Sequence, residues 1–581
     1  MAVRRANDEV AEALFEYADL LAMSGGDAFK VRVYEKAARS VAGSPSDVAM
    51  LDIEGLEAIP GVGKSIAAKM LEFEAHGSFA ELDTLRARIP AGVRALLGVP
   101  GLGPKRAMVL HDRLGISSVS ELLDALHHHR LKGLKGFGAK TEEHLLDGIK
   151  HMRAAGGRIQ LAVALGLAEE FLDALTPLPQ VQRATYAGSL RRMRETIGDI
   201  DLLIASDEPT PVMDAFSTLP LVADVLAHGT TKSTVLTTKG IQVDVRVIPL
   251  ESWGAALQYF TGSKAHNVRL RMIALKHGLK LSEYGLFDVE TGSLIASETE
   301  EDVYAHLNLP YIPPTLREDR GEIEAALAGT LPNLVELDDL RGDLHTHTNL
   351  TDGLASLAQM VEAASRRGYC YYAVTDHAPL LAMDRMTIER VLAQRDEIRA
   401  LGRPRGMTLL HGSELNIARD GTLDWDDDVL AGFDLLVASV HSHFTLSRDD
   451  MTRRLLRAIE HPYVNIIGHP TGRLLGRRPG IDFDADAVFE AAARSGTALE
   501  INAFPDRLDL DDELVRRARD RGVMFAIDTD AHAIPHLDHL RFGVAVAQRG
   551  WLEPAQVINT WPLAKLRRFL AKGRRRAHRA A

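Results

Sequence analysis

Residues 188–201 read Gly188-Ser189-Leu190-Arg191-Arg192-Met193-Arg194-Glu195-Thr196-Ile197-Gly198-Asp199-Ile200-Asp201, and the end of this stretch decides the fold around it. Asp199 and Asp201 lie inside an apolar run, 197–205, that reads as a β-strand. On a strand, residues i and i+2 face the same way. Two carboxylates on one face of a half-buried strand repel each other and are costly to desolvate unless a cation sits between them. Hard divalent ions such as Mg²⁺ take oxygen ligands of this kind. Gln242-Val243-Asp244-Val245-Arg246-Val247 is a second alternating strand and supplies a third carboxylate, Asp244. Three strand carboxylates suit two metal ions for in-line phosphoryl or nucleotidyl transfer. The start of the stretch fits that chemistry. A Gly188-Ser189 turn aims backbone N–H groups at phosphates, and Arg191, Arg192 and Arg194 add charge for a polyphosphate. A lone Asp-x-Asp is more often a solvated pair on a surface strand. The Gly-Ser turn, the arginines, Gly198 and the third Asp together argue against that reading here.

The chain has 581 residues, too many for one core, so three or four domains are expected. Its composition, 46% hydrophobic and 25% charged, is that of a globular protein. A net charge of -12 does not by itself point to nucleic acid, but charge is local and an acidic chain can carry a basic groove. A single Cys370 excludes an internal disulfide and fits a reducing cytosol. Residues 1–19 are charged and amphipathic, unlike a signal peptide, and no apolar run reaches membrane-spanning length.

Residues 7–42 read as two amphipathic helices, and a repeat follows. Ile59-Pro60-Gly61-Val62-Gly63-Lys64, Val99-Pro100-Gly101-Leu102-Gly103-Pro104-Lys105 and Leu134-Lys135-Gly136-Phe137-Gly138-Ala139-Lys140 share one pattern: apolar, Gly, x, Gly, a nearby Lys, then a helical segment. Glycines allow the tight turn, and the next helix presents free N–H groups to a phosphate. The pattern resembles the helix-hairpin-helix, which grips DNA backbone without reading sequence. One Gly-x-Gly is usually just a turn; three copies before helices are strong evidence. His127-His128-His129 are consecutive, share no helix face, and read as a solvated loop.

Histidine usage changes after residue 341. Asp343-Leu344-His345-Thr346-His347 puts two His on one strand face, with Asp352 close behind. Strand after strand then ends in a potential ligand: Asp376 and His377 after 371–374, Glu414 after 408–410, His441 and His443 after 435–440, His469 after 464–467, Asn502 after 498–501, and Asp528, Asp530 and His532 after 523–527. Amphipathic helices separate most of these strands, which predicts a barrel with its site at the strand C-termini. A His-x-His alone is often a satisfied core pair. Nine converging His, Asp and Glu groups cannot be satisfied without metal, and mixed imidazole and carboxylate ligands suit Zn²⁺, Mn²⁺ or Fe²⁺.

The Gly-Ser-x-Arg-Arg…Gly-Asp-Ile-Asp signature, with Val243-Asp244-Val245-Arg246 and Tyr259-Phe260-Thr261-Gly262-Ser263, resembles the family X DNA polymerases. With the histidine series, the resemblance is to the bacterial type carrying a C-terminal polymerase-and-histidinol-phosphatase (PHP) domain, and it covers nearly the whole chain. It implies a multidomain fold: N-terminal α-helical helix-hairpin-helix domains, an α+β nucleotidyltransferase palm like that of polymerase beta, and a distorted (β/α)₇ PHP barrel. The expected domains are 1–80 (helical, DNA-binding), 81–155 (helix-hairpin-helix), 156–255 (palm), 256–315 (nascent-base-pair subdomain), 316–340 (linker) and 341–581 (PHP).

By this resemblance Asp199 and Asp201 bind both polymerase metals, Mg²⁺ or Mn²⁺. Asp244 binds the catalytic ion and helps remove the primer 3′-hydroxyl proton. Gly188, Ser189, Arg192, Gly198 and Gly262 match nucleotide-binding positions, Tyr259 and Phe260 pack on the deoxyribose, and Asn267 and Arg271 meet the nascent base pair and template. DNA backbone contacts are expected at Gly61, Gly63, Lys64, Lys69, Gly101, Gly103, Lys105, Gly136, Gly138 and Lys140, and such hairpins also hold a monovalent cation. Lys69 matches a lysine that removes abasic sugars through a Schiff base in beta-type enzymes, but the basic residue usual four positions earlier is Ser65 here, so a solvated or phosphate-contacting lysine is an equal reading.

In the PHP domain, His345, His347, Glu414 and Asp530 are expected to bind one ion, Glu414, His441 and His469 a second, and Asp352, His377 and His532 a third. Up to three Zn²⁺, Mn²⁺ or Fe²⁺ ions would then activate water against a phosphodiester. His441 is preferred to His443 because its spacing from the strand end matches the family. Arg473, Arg477 and Arg478 are placed to hold phosphates, and the tail from 565 to 579, with eight basic residues and no acidic one, reads as a backbone contact or a solvated helix end. The function expected is a monomeric, cytoplasmic, nucleoid-associated repair polymerase that fills short gaps in primed DNA with dNTPs. Its PHP site is expected to trim 3′ ends and to cut at abasic sites. Rival readings are an RNA or small-molecule nucleotidyltransferase, a PHP domain acting as a phosphatase or metal scaffold, and a structural DNA binder.

Overall fold

In the computed structural model, residues 2–44, 46, 48–99, 102–134, 136–138, 141, 142, 145, 146, 149, 157–381 and 386–572 are described. Gly101, Lys140 and the end of the basic tail lie outside them.

Helix α1 (Ala2–Met23) packs along α2 (Ala28–Ala42), whose N-terminus is capped by the Asp27 carboxylate accepting from Phe29 N–H at 3.0 Å. Helices α3 (Lys64–His76) and α4 (Pro104–Leu114) each follow one of the glycine turns. A single hydrophobic core, from Val10 and Leu14 through Phe79 and Leu110 to Ile149, runs through this whole region. The expected boundary at residue 80 therefore does not separate two cores.

The palm is a five-stranded sheet. Its strands are β1 (Arg183–Tyr186), β2 (Asp199–Ala205), β3 (Val222–His228), β4 (Lys232–Thr237) and β5 (Gln242–Ile248), in the order β1-β2-β5-β4-β3. Only the β2–β5 pair is parallel. Helices α5 (Leu161–Leu175) and α7 (Pro209–Ser217) cover one face, where the Phe171 and Phe216 rings meet at 5.4 Å, and the short α6 (Gly188–Arg191) packs against β2. Helix α8 (Trp253–Thr261) covers the other face, packing Trp253 and Ala256 on Leu203 and Ile248.

Helix α9 (Lys264–Lys276) and the antiparallel strands β6 (Leu279–Ser282), β7 (Gly285–Asp288) and β8 (Leu294–Ala296) follow. Their core takes in Tyr304, Leu316, Ile323 and Ala326, so residues 316–340 are packed structure and not a free linker. Arg317 is fully buried and meets Glu300 at 2.5 Å.

Seven parallel strands then form a barrel in sequential order: β9 (Gly342–Asp343), β10 (Tyr371–Val374), β11 (Thr408–Asn416), β12 (Leu435–Ser439), β13 (Ile466–Gly468), β14 (Ala498–Asn502) and β15 (Phe525–Asp528). Past the strand ends Thr346 bridges Ala531, which draws the first and last strands together. Helix α10 (Ile388–Leu401) flanks β11, α11 (Leu540–Arg549) turns toward the palm, and α12 (Leu563–Leu570) plugs the strand N-termini with Leu566 and Leu570 against Leu410, Leu435 and Ile466. The palm core continues into the barrel's outer layer without a break. Ion pairs Arg320–Asp512 (3.1 Å), Arg549–Glu318 (3.0 Å) and Arg473–Glu195 (2.7 Å) reinforce that junction. Among the described residues, no helix is long and apolar enough to cross a membrane.

Candidate active sites

The parallel register of β2 and β5 sets Asp201 directly opposite Asp244, with Asp199 one pleat away on the same face as Asp201. Asp244 is buried and Asp199 exposed. Burial first, then the charges of Asp199 and Asp244, push Asp201 up to about 7. Such crowding is what a divalent cation relieves, so the three carboxylates fit metal. The Lys232 ammonium reaches Asp244 at 2.6 Å and the Gln242 amide donates to it at 3.1 Å. Gly188 is required here: its φ is +60°, and a Cβ there would meet the Asp201 carboxylate at 2.2 Å.

Ser189 sits on α6 and Arg192 caps its C-terminus. Arg192 donates to Glu318 at 3.0 Å and to the Thr261 carbonyl at 2.6 Å, which fixes the plane of its guanidinium. Arg191, expected near the phosphates, instead holds Glu300 at 2.6 Å and Thr261 at 2.6 Å. Tyr259 and Phe260 end α8 with their rings edge-to-face at 5.2 Å, and Arg246 lies 4.6 Å over Phe260. The Asn267 amide donates to the Tyr259 carbonyl at 2.7 Å and accepts from Gln258 at 2.7 Å, so this buried side chain pins the aromatic pair. Arg271 donates to the Asn267 carbonyl at 3.3 Å. A Cβ on Gly262 would meet Arg192 at 3.1 Å, and one on Gly198 would meet Arg158 at 3.0 Å.

The glycine turns repeat one hydrogen-bond pattern. Val62, Leu102 and Phe137 donate to the carbonyls of Ile59, Val99 and Leu134 at 3.0, 3.0 and 3.1 Å, and Ile66, Arg106 and Thr141 then donate to those of Gly63, Gly103 and Gly138. Gly61, Gly63, Gly103, Gly136 and Gly138 are exposed, as are Lys64 and Lys105. Open space surrounds Gly63, Gly103 and Gly138, so a Cβ added there would meet no part of this protein. Lys69 is different. It is 8% exposed and pairs with Glu81 at 2.6 Å. Burial lowers its pKa, but Glu81, Tyr34 and Tyr17 outweigh burial and leave it raised, which favours the ammonium over the nucleophilic amine.

At the C-terminal mouth of the barrel all nine expected ligands converge. Glu414, on β11, is the hub. Its Oε1 lies 3.1 Å from both His441 Nε2 and His469 Nε2, and its Oε2 lies 3.4 Å from His345 Nε2, 3.6 Å from His347 Nε2 and 2.8 Å from His377 Nδ1. Asp530 Oδ1 stands 3.1 Å from His347 and 3.7 Å from His345. Asp352 Oδ2 stands 3.2 Å from both His377 and His532. Three groups are tight enough to share an ion: His347-Asp352-His377-His532, His345-His347-Glu414 and His377-Glu414-His441. His347 and His377 thus bridge positions that the sequence assigns to separate ions. His443 is exposed and belongs to none of these groups.

Several donor atoms in the cluster are buried without a hydrogen bond: both ring nitrogens of His347, His345 Nε2, His377 Nδ1 and Glu414 Oε2. Carboxylates and ring nitrogens crowd together without hydrogen-bond geometry, which is how ligands look around a cation. The residues fit divalent metal. His469 and Asp530 hold positive φ of 27° and 53°, backbone strain placed at the ligands themselves. A second layer orients them. Glu500 accepts from His345 Nδ1 at 2.6 Å and also from the His469 N–H, while Asn416 Oδ1 contacts His441 Nδ1 at 2.8 Å. Arg507 lies 3.6 Å from Asp530 with Nη1 buried and unpartnered. The sequence had flagged neither Glu500, Asn416, Arg507, Lys232 nor Glu318. Of the three barrel arginines expected to hold phosphate, Arg473 is instead tied to Glu195 and to the carbonyls of Arg507 and Leu508, and Arg478 stacks 3.8 Å from Phe444.

Residues 5–79 match the helix-hairpin-helix domain family, 93–151 the SAM-like helix-hairpin-helix tandem, 256–318 the DNA polymerase beta thumb and 343–503 the PHP domain. The chain is 38% identical over 554 residues to the DNA polymerase/3′-5′ exonuclease PolX of Bacillus subtilis (strain 168), covering 95% of this chain and 96% of that protein. It is 26% identical over 288 residues to DNA polymerase lambda of Rattus norvegicus, covering 45% of this chain and 48% of that one. A probable phosphatase of Thermoanaerobacter sp. (strain X514) is 28% identical over 250 residues, 40% of this chain and 96% of the relative.

Proposed function

Because the chain belongs to the PolX family of bacterial DNA polymerase/3′-5′ exonucleases, we propose that it fills short gaps in DNA at the palm and trims 3′ ends at the barrel mouth. The observation that carries this reading is two separate carboxylate-rich clusters, one on β2 and β5 and one at the strand ends of the barrel. Divalent ions, when bound, supply charge neutralisation in the palm and an activated water in the barrel.

In the palm, Asp199, Asp201 and Asp244 hold the ions, and Asp244 takes up the proton of the primer 3′-hydroxyl. Ser189, Arg192 and the backbone of Gly188 bind the triphosphate, with Arg192 oriented by Glu318 and Thr261. Tyr259 and Phe260, pinned by Asn267, face the sugar and disfavour a 2′-hydroxyl. The exposed glycine turns and Lys64 and Lys105 hold DNA backbone on either side of a gap. In the barrel, Glu414 and the histidines around it hold the ions, Glu500 and Asn416 fix the imidazole orientations, and Arg507 meets the scissile phosphate. Mg²⁺ or Mn²⁺ in the palm, Mn²⁺ in the barrel, work as a monomer in the cytoplasm and cleavage at abasic sites belong to this proposal.

The test is primer extension on a one-nucleotide-gapped duplex with dNTP against rNTP. Preferential dNTP insertion supports the reading; equal use of rNTP, or no extension, refutes it. The probable phosphatase favours one second reading, a barrel that hydrolyses small phosphomonoesters. Release of phosphate from a small ester without shortening of a DNA 3′ end would establish it.

A further inference from the structure

The mouth of the barrel carries the metal cluster, but the opposite end also carries a pocket. A cavity of about 340 Å³ opens beside α10, the start of β11 and helix α12, lined by Arg395, Arg399, Arg403, His411, Asp434 and Arg567. Thr408, on its wall, precedes Glu414 by six residues of β11, so the pocket lies about 20 Å along the strand from the metal cluster. It is lined by none of the residues of the glycine turns or of the palm triad.

Four guanidinium groups converge on this space, and among the described residues no carboxylate pairs with Arg395, Arg403 or Arg567. Arg399 has only an exposed contact with Asp396 at 3.4 Å. Asp434, the carboxylate on the wall, already accepts from the His411 N–H at 3.0 Å. His411 is buried at the floor, with Arg395 Nε 3.4 Å from its Nδ1 and Gln394 3.3 Å from its Nε2. Burial, and after it the charges of Arg395 and Arg399, hold its pKa down at about 4. Arg395 is also held in place over the Phe433 ring at 6.0 Å.

Like charges gathered round one open pocket repel unless a counter-charge enters, and planar guanidinium forks match phosphate oxygens. A cavity of this size takes a small molecule, not a duplex. We propose that this pocket is a binding site for a multiply charged phosphate group, distinct from both active sites. The enzyme's own reactions release two such ligands, pyrophosphate from polymerisation and a deoxynucleoside monophosphate from 3′ trimming. A nucleic-acid backbone offers the same kind of phosphate oxygen, with one charge on each phosphodiester, and is separated from them by the test.

The test is isothermal titration calorimetry on the full chain in EDTA, with sodium pyrophosphate, dAMP and a single-stranded 12-mer as separate titrants. Wild type is compared with Arg399→Ser/Arg403→Ser, which removes two exposed side chains without touching a core, and with Arg366→Ser/Arg453→Ser, two exposed arginines elsewhere. A loss of at least tenfold in pyrophosphate or dAMP affinity in the first variant only supports a free phosphate ligand. A loss confined to the 12-mer supports the pocket and assigns the backbone as its source. Isotherms of the Arg399→Ser/Arg403→Ser variant that match wild type for all three titrants overturn the proposal.

Discussion

Arg192 of the palm and Arg549 of the barrel share one carboxylate oxygen: Glu318 Oε1 lies 3.0 Å from Arg192 Nε and 3.0 Å from Arg549 Nη1. Arg549 also donates to the Arg192 carbonyl at 2.9 Å. The side chain proposed to bind the incoming triphosphate is therefore held by a residue that a barrel helix holds in turn.

Glu318→Gln leaves two guanidiniums facing a neutral amide, and Arg192 loses its charge-assisted anchor. A hydrogen bond to a charged group is worth about 1.5–3 kcal/mol, so the KM for dNTP is expected to rise about tenfold or more. Shortening of a 3′ end, read in the same preparation, is expected to stay at the wild-type rate.

Arg473 joins the loop after His469 to Glu195 at 2.7 Å and to the carbonyl of Arg507 at 3.0 Å. Arg473→Ala leaves the carbonyls of Arg507 and Leu508 without this donor and frees the half-exposed Glu195 carboxylate, at a cost of about 1–3 kcal/mol. Thermal unfolding is expected to begin several degrees lower. Glu195→Gln keeps a hydrogen-bond acceptor and is expected to shift it far less.

Asp201 carries the pH dependence of the palm. Its folded pKa of about 7 is above the ordinary carboxylate value of 3.8, so the metal-free fold is favoured by its proton below pH 3.8 and loses that contribution as pH rises through 7. Divalent ions bind the deprotonated form, so Mn²⁺ affinity at the palm is expected to rise about tenfold per pH unit up to 7 and level off above it. Titration in a His347→Ala/His377→Ala background, which breaks all three ligand groups of the barrel, isolates this site. In EDTA at pH 8, Asp201→Asn is expected to raise the melting temperature while abolishing extension.

Glu414 faces all three ligand groups of the barrel through His345, His347, His377, His441 and His469. Glu414→Gln removes the one hub charge, and bound metal measured by atomic emission is expected to drop more than in His441→Ala, which opens one position only.

The palm triad was legible because it is local. Period-2 alternation around Asp199, Asp201 and Asp244 gives face and strand at once, and the register Asp201 opposite Asp244 completes the triad. The barrel ligands were legible for a related reason, since polar residues at strand C-termini point to one mouth. What the sequence hid is pairing between distant segments. Arg191 and Arg473 look like free cations in a list of charges, but Glu300 and Glu195 claim them across the fold. Glu500 and Asn416 lie on strands that read simply as apolar, and their role appears only when His345 and His441 are placed beside them. Prolines around residue 313 suggest a connector, while Leu316 and Ile323 bury themselves in the preceding core.

The account stands most directly on the separation of its two centres, and one gel tests it. A 5′-labelled primer in a one-nucleotide-gapped duplex is incubated with dNTPs and Mn²⁺ and wild type, Asp199→Ala/Asp201→Ala or His345→Ala/His347→Ala. The account predicts extension without shortening in the histidine variant and shortening without extension in the aspartate variant. Shortening that persists in the histidine variant at the wild-type rate, or extension that survives loss of both aspartates, would contradict it.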